Sequence, residues 1–223
     1  MNFLRQKLAS APEYPRIAPF AVYAVLGALQ GESGTASHYW VYVLKTLIAA
    51  WVLWEARPLL EELHLKFSWE ALVVGMAIFV IWVGLDGHYP RLSDPGAGSN
   101  PHTQFGQGSA LAWFMALFHL LGSTLVAPPS EELFYRSFLY RYFVKLDFQK
   151  MPFNRFHPLS FVVTSLIFGL MHPAWWVAGI LCGFAYQGLV VYKNRLGDAI
   201  VAHALTNFLL GLWVIYKGAW AFW

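Results

Sequence analysis

Charge is scarce in this 223-residue chain. Lys and Arg number 15, Asp and Glu 12, and charged residues make up 12%, about half the share in an ordinary soluble domain. So few charges cannot cover the surface of a water-soluble globule of this length. Cysteine is nearly missing too. The single Cys182 excludes an internal disulfide framework and any multi-cysteine metal site. No block of Lys and Arg is interleaved with aromatics, so the formal charge of +3 does not point to nucleic acid. Residues 1–16 contain Arg5, Lys7 and Arg16 but no apolar core followed by a small-residue cleavage site. They are expected to be a cytoplasmic lead-in rather than a removable signal peptide. Neither a repeat of clear period nor a low-complexity tract occurs, and a single domain over 1–223 is expected.

What is plentiful is apolar. Hydrophobic residues reach 58% and aromatics 18%, with a mean hydropathy of +0.48. A disordered chain is excluded, because too much must be buried. The composition predicts an all-α, polytopic transmembrane bundle of about seven to eight helices. The apolar stretches are 17–30, 39–54, 69–85, 110–126, 159–171, 174–192 and 196–216. Several fall short of the ~20 residues of an ideal span, a mismatch that tilt and neighbouring helices absorb. The longest connection, 86–108, carries Asp94-Pro95-Gly96 and Ser99-Asn100-Pro101 and reads as an irregular loop.

Basic residues give the orientation. With the N-terminus cytoplasmic and seven alternating crossings, Arg5, Lys7, Arg16, Arg57, Lys66, Arg141, Lys145, Lys150, Arg155, Lys193 and Arg195 fall inside, and only Arg91 and Lys217 outside. Pro128 and Pro129 interrupt the fourth stretch, with Ser130 a good N-cap for the segment that follows. This predicts a Pro-kinked helix whose second half descends toward the cytoplasmic face.

An ionisable group at membrane depth is a functional candidate by default. Lys45 reads as a side chain that snorkels or faces a polar interior, and His119 as a hydrogen-bonded packing residue. Glu131, Glu132, Arg136, His172 and His203 are arranged rather than scattered. Glu132 and Arg136, four apart, share a helix face and can pair, while Glu131 is turned by about 100° and left free to face a cavity. Phe168 shares a face with His172, which Pro173 follows. His203 and Asn207 project from one face of the last stretch, as interhelical glue or as an oxyanion hole. At 1.5 Å per residue, Glu131 stands roughly 15 Å above Arg141, His172 about 21 Å above the start of its span, and His203 about 10 Å above Leu196. Three helices thus deliver polar groups to overlapping depths.

At these residues the sequence resembles the CPBP family, the CAAX-protease and bacteriocin-processing intramembrane proteases. The motifs are Glu131-Glu132-x-x-x-Arg136, Phe168-x-x-x-His172 and His203-x-x-x-Asn207. They cover residues 131–207, the motif-bearing half. The residue after Arg136 is Ser137 where the family often has Gly. The size is similar to that of the exosortase-associated subgroup of CAAX-protease-like bacterial proteins. The resemblance implies a glutamate-dependent, metal-independent endopeptidase that needs no cofactor. It implies Glu131 as the base that activates water, His172 assisting, and His203 with Asn207 binding the oxyanion. Glu132, Arg136 and Phe168 would support them. The partners implied are the lipid bilayer and a membrane-associated protein or peptide, lipidated or not, and the location a bacterial inner membrane. Two other readings stay open: a zinc-dependent protease using Glu131, His172 and His203, and a non-catalytic scaffold or immunity protein whose polar cluster is packing glue. Oligomeric state is not legible, because Gly179-x-x-x-Gly183 could pack helices within one chain or between chains.

Overall fold

The computed structural model describes residues 2–30 and 35–223, so of the lead-in only Met1 lies outside them. Among the described residues the chain is helical, with no strand. A short α1 (Phe3–Leu8) precedes α2 (Tyr14–Ala28) and α3 (Thr35–Ala56). Then come α4 (Trp69–Gly84), the short α5 (Pro101–Phe105) and α6 (Ala110–Leu125). α7 (Ala127–Glu132) passes through a π-helical stretch, Leu133–Leu139, into α8 (Tyr140–Val144). α9 (Pro158–Leu170), α10 (Trp176–Lys193) and α11 (Gly197–Lys217) follow. Each of the seven apolar stretches is therefore helical. By length and composition, the runs Ala110–Val144, Pro173–Lys193 and Gly197–Lys217 suffice to cross a bilayer, while Trp69–Gly84 and Pro158–Leu170 are apolar but shorter.

Local chemistry sets the helix starts. Ser68 and Ser109 accept hydrogen bonds from the Ala71 and Ala112 amides, capping α4 and α6. Proline stands in the first turn of α2, α5, α7 and α9, where its missing N–H is no loss. That changes two readings. Asn100-Pro101 starts α5 rather than a turn, with Asn100 Oδ1 accepting from the His102 amide. Ser130 is not an N-cap: the helix restarts at Ala127, and the Ser130 hydroxyl donates back to the Val126 carbonyl at 2.7 Å.

Side-chain size is sorted as a bilayer requires. Buried positions of α6 are Ala112, Met115, Ala116, Leu120 and Gly122, while Trp113, Leu117, Leu121 and Leu125 point outward. Small residues let backbones approach closely. A Cβ on Gly183 would come within 2.7 Å of Ser165 Cα, and one on Gly179 within 2.9 Å of Gly169 Cα. The Gly179-x-x-x-Gly183 pair therefore packs α10 against α9 inside one chain.

Polar contacts gather the connections into two ends. At one end the N-terminal helices meet the segments after α3, α8 and α10. Arg16 Nε donates to Glu62 at 2.7 Å, Arg141 lies 3.7 Å from the same carboxylate, Ser137 donates to it, and Lys193 pairs with Glu70 at 2.9 Å. Burial raises the Glu62 pKa, but Arg16 and the Ser137 hydroxyl outweigh it and hold the carboxyl below its ordinary value. At the opposite end the Leu92 amide donates to the Pro173 carbonyl and the Trp175 indole N–H to Asp86, both at 3.0 Å. This grouping agrees with alternating crossings. On the flank of the bundle lies an apolar groove of about 1050 Å³, bordered by α3, α4, α6, α7 and α11.

Candidate active site

The break between α6 and α7 positions the first motif. Pro128 and Pro129 cannot donate to the carbonyls a turn earlier, so the chain turns at Val126 before the helix resumes. Glu131 then faces a cavity of about 180 Å³ that is also lined by Phe168, His172, His203 and Asn207. The structure brings together all four sequence-predicted catalytic residues, Glu131 from α7, His172 from the bend that follows α9, and His203 with Asn207 from α11. Among the described residues the Glu131 carboxylate has no hydrogen-bond or ion-pair partner. Lys45, Tyr23 and Tyr135 lie within its electrostatic reach.

Glu132 and Arg136 stand behind this cavity rather than on it. Their side chains are 0% and 1% exposed, and Arg136 Nε lies 3.1 Å from Glu132 Oε2, as the i,i+4 spacing predicts. The contact is an ion pair without the alignment of a hydrogen bond. The guanidinium is instead covered by ring faces, with Phe168 at 4.3 Å, Tyr135 at 5.4 Å and Tyr186 at 5.8 Å. Phe168, a supporting residue in the sequence reading, thus contacts both the arginine and the cavity.

The other carboxylate oxygen of Glu132 meets His203, whose Nδ1 donates to Oε1 at 2.8 Å. Sequence reasoning missed this contact, since nothing local links residues 71 apart. It fixes the ring. A carboxylate only accepts, so the proton sits on Nδ1 and leaves Nε2 for the cavity. Tyr186 stacks on the same ring at 5.0 Å. His172 is fixed by similar logic: its Nδ1 lies 3.0 Å from the Phe168 carbonyl, which can only accept, so Nε2 is again the free atom. Asn207 Nδ2 donates to the Ser123 carbonyl at 2.9 Å, which ties α11 to α6 and leaves one amide hydrogen unspent.

Further cavity residues escaped the sequence reading. Trp82 meets His172 edge-on at 5.4 Å, and Phe222 and Trp223 come from beyond α11. Their only sequence signal is the density of aromatics. His119 lines the cavity, clamped between Tyr42 at 3.9 Å and Trp223 at 4.3 Å, so it is a packing residue as expected, but held by ring stacking rather than by a hydrogen bond of its ring among the described residues. Lys45 is buried and faces a polar interior, donating to Gln30 at 2.7 Å and lying over Tyr23 and Tyr42.

A polar pocket at membrane depth on a helical scaffold defines the class, a helical membrane protein with an interior polar site. Residues 110–209 match the family model described as Rce1-like type II CAAX prenyl endopeptidase. The matched span takes in all three motifs and is consistent with the CPBP resemblance read from them. Protease activity and a membrane-associated protein substrate are what that family implies. No curated protein and no solved structure matches the chain.

Proposed function

We propose that the protein is a glutamate-dependent intramembrane endopeptidase acting on a membrane-associated protein or peptide. The observation that carries this reading is the convergence of Glu131, His172, His203 and Asn207 on one cavity, with both imidazole rings held in a known orientation. Glu131, unpaired and cavity-facing, takes a proton from water as the oxygen attacks the scissile carbonyl carbon. His172 Nε2 accepts the other water hydrogen and aims the lone pair. The oxyanion receives the free N–H of Asn207 and, when His203 is doubly protonated, its Nε2–H. The Glu132 carboxylate stabilises that imidazolium. Protonated Glu131 then passes its proton to the leaving nitrogen; the products are a carboxylic acid and an amine, which exchange a proton to become carboxylate and ammonium, and Glu131 is again ionised.

A zinc-dependent reading needs Glu131, His172 and His203 gathered around a single ion. Among the described residues no group of three His, Cys, Asp or Glu side chains is so gathered. Two experiments test the proposal. In cells carrying Glu131→Gln, comparative proteomics should find membrane-bound precursors that accumulate relative to wild type. Purified wild-type protein should keep its cleavage rate in chelator. Normal turnover by Glu131→Gln removes the reading, and loss of activity restored by zinc replaces it with the metal-dependent one. We further propose that the N-terminus is cytoplasmic in a bacterial inner membrane. The gathering of the basic connections at one end supports this orientation, and a reporter fused after Trp223 should report the outer face.

A further inference from the structure

The catalytic cavity has two kinds of lining. Beside the polar groups stand the apolar and aromatic side chains of Trp82, Trp175, Leu210, Phe222 and Trp223. Two of these belong to the segment after α11, outside the span that matches the family model.

That segment is built in as a wall. Phe222 stacks on Trp175 at 5.0 Å with planes 22° apart, and Trp175 is itself anchored to Asp86 through its indole N–H. Trp223 stacks on His119 at 4.3 Å with planes 5° apart, and His119 is backed by Tyr42. Trp220 meets Trp223 at 5.4 Å and His102 at 6.0 Å. The 85–100 loop presses on it from outside: Gly98, at φ +71°, lies so close that a Cβ there would overlap the Trp220 carbonyl. Four separate elements thus hold the strap against the cavity.

We propose that Phe222 and Trp223 are specificity-determining residues that set the size of the substrate side chain admitted beside the scissile bond. The proposal rests on the protease reading of the cavity. About 180 Å³ must hold the attacking water and part of the substrate. A water takes about 30 Å³, and an apolar cavity of about 150 Å³ accepts one benzene-sized group. With water in place, the aromatic-lined space therefore suits a compact apolar side chain better than an indole.

The test uses the sole cysteine, Cys182, which is 2% exposed and lines the same cavity. Its labelling by a small methanethiosulfonate and by a bulky maleimide is measured in wild type, Phe222→Ala, Trp223→Ala and Trp223→Phe, all also carrying Glu131→Gln. The alanine variants should raise the bulky-to-small rate ratio about tenfold or more, and Trp223→Phe only slightly. In the active background, a membrane-anchored peptide series with Ala, Leu, Phe or Trp at the position after the scissile bond should show the Leu-to-Trp preference falling about tenfold in the alanine variants, a typical pocket discrimination. Unchanged labelling ratios overturn the wall. Changed labelling with unchanged Leu-to-Trp preference overturns the specificity role. Changed labelling with no cleavage of any peptide or cellular precursor by wild type removes the protease reading, and the specificity assignment with it, while leaving the wall. Should an alanine variant fail to fold, Phe222→Leu carries the same comparison.

Discussion

Neutralising Glu132 tests the relay behind the cavity. Arg136 and Glu132 are 3.1 Å apart and essentially unexposed. At that distance and an effective dielectric of about 20 their attraction is on the order of 5 kcal/mol. Removing one partner of such a pair typically costs about 3–5 kcal/mol, because the other charge stays buried alone. Glu132→Gln should therefore lower the melting temperature by about 6–20 °C, at 2–4 °C per kcal/mol for a chain of this length. Arg136→Met should do the same, softened by the His203 contact that Glu132 keeps. The double variant, with neither charge, should melt well above the sum of the two losses, with a coupling of at least ~2 kcal/mol. Turnover should behave differently. Without the Glu132 carboxylate His203 loses the acceptor that fixes its ring, so both Glu132→Gln and the double variant should lose about 10²–10³ in kcat. Intrinsic tryptophan fluorescence during heating, beside cleavage of a substrate found by proteomics, gives both readouts. Strictly additive melting shifts, or turnover that recovers together with stability in the double variant, would refute the relay.

On the proposed mechanism Asn207→Ala should cut kcat by about 10²–10³ with a smaller change in KM through loss of its free N–H, and should also lower the melting temperature, because the other N–H ties α11 to α6. A change confined to KM counts against that role. Gly183→Val should lower the melting temperature through overpacking of about 1–3 kcal/mol, because its Cβ would meet Ser165 Cα at 2.7 Å; an unchanged melting curve would mean the helices are not in contact there. The Glu62 cluster gives a pH dependence. Its folded pKa is held below the ordinary carboxylate value, so its contribution is complete above about pH 4.3 and is lost as pH falls through the lower folded value. Glu62→Gln should flatten that acid limb in a melting series, and an identical acid limb in both proteins rules the cluster out as its source.

The chain announces its helices openly, because an apolar run must be buried or meet lipid wherever it lies. Glu132 with Arg136 was legible for a similar reason: four residues bring two side chains onto one face, and the π-helical widening from Leu133 does not part them. The freedom of Glu131 followed from the same geometry. Its convergence with His172 and His203 was legible only as matching depth. Depth alone could not reveal that Glu132 holds His203, or that Asn207 holds Ser123, because rotation about each helix axis is set by packing between distant segments. Ser130 misled because its type suits a cap, whereas the two prolines before it already satisfy the opening turn. The strap was least legible: Trp220 to Trp223 carry no motif, and their position depends on Gly98 more than a hundred residues earlier.

The Asn207–Ser123 tie has a consequence for how far a change on the outside of the molecule reaches inward. Ser123, His203 and Asn207 border the polar cavity, while their immediate neighbours Thr124, Ala204 and Phe208 border the large apolar groove. The two compartments lie on opposite sides of α6 and α11, which the Asn207 amide ties together. Under the proposed mechanism, added bulk at Ala204 or Phe208, on the groove side of α11, presses on the backbone that carries His203 and Asn207, so substitutions there should be felt in turnover.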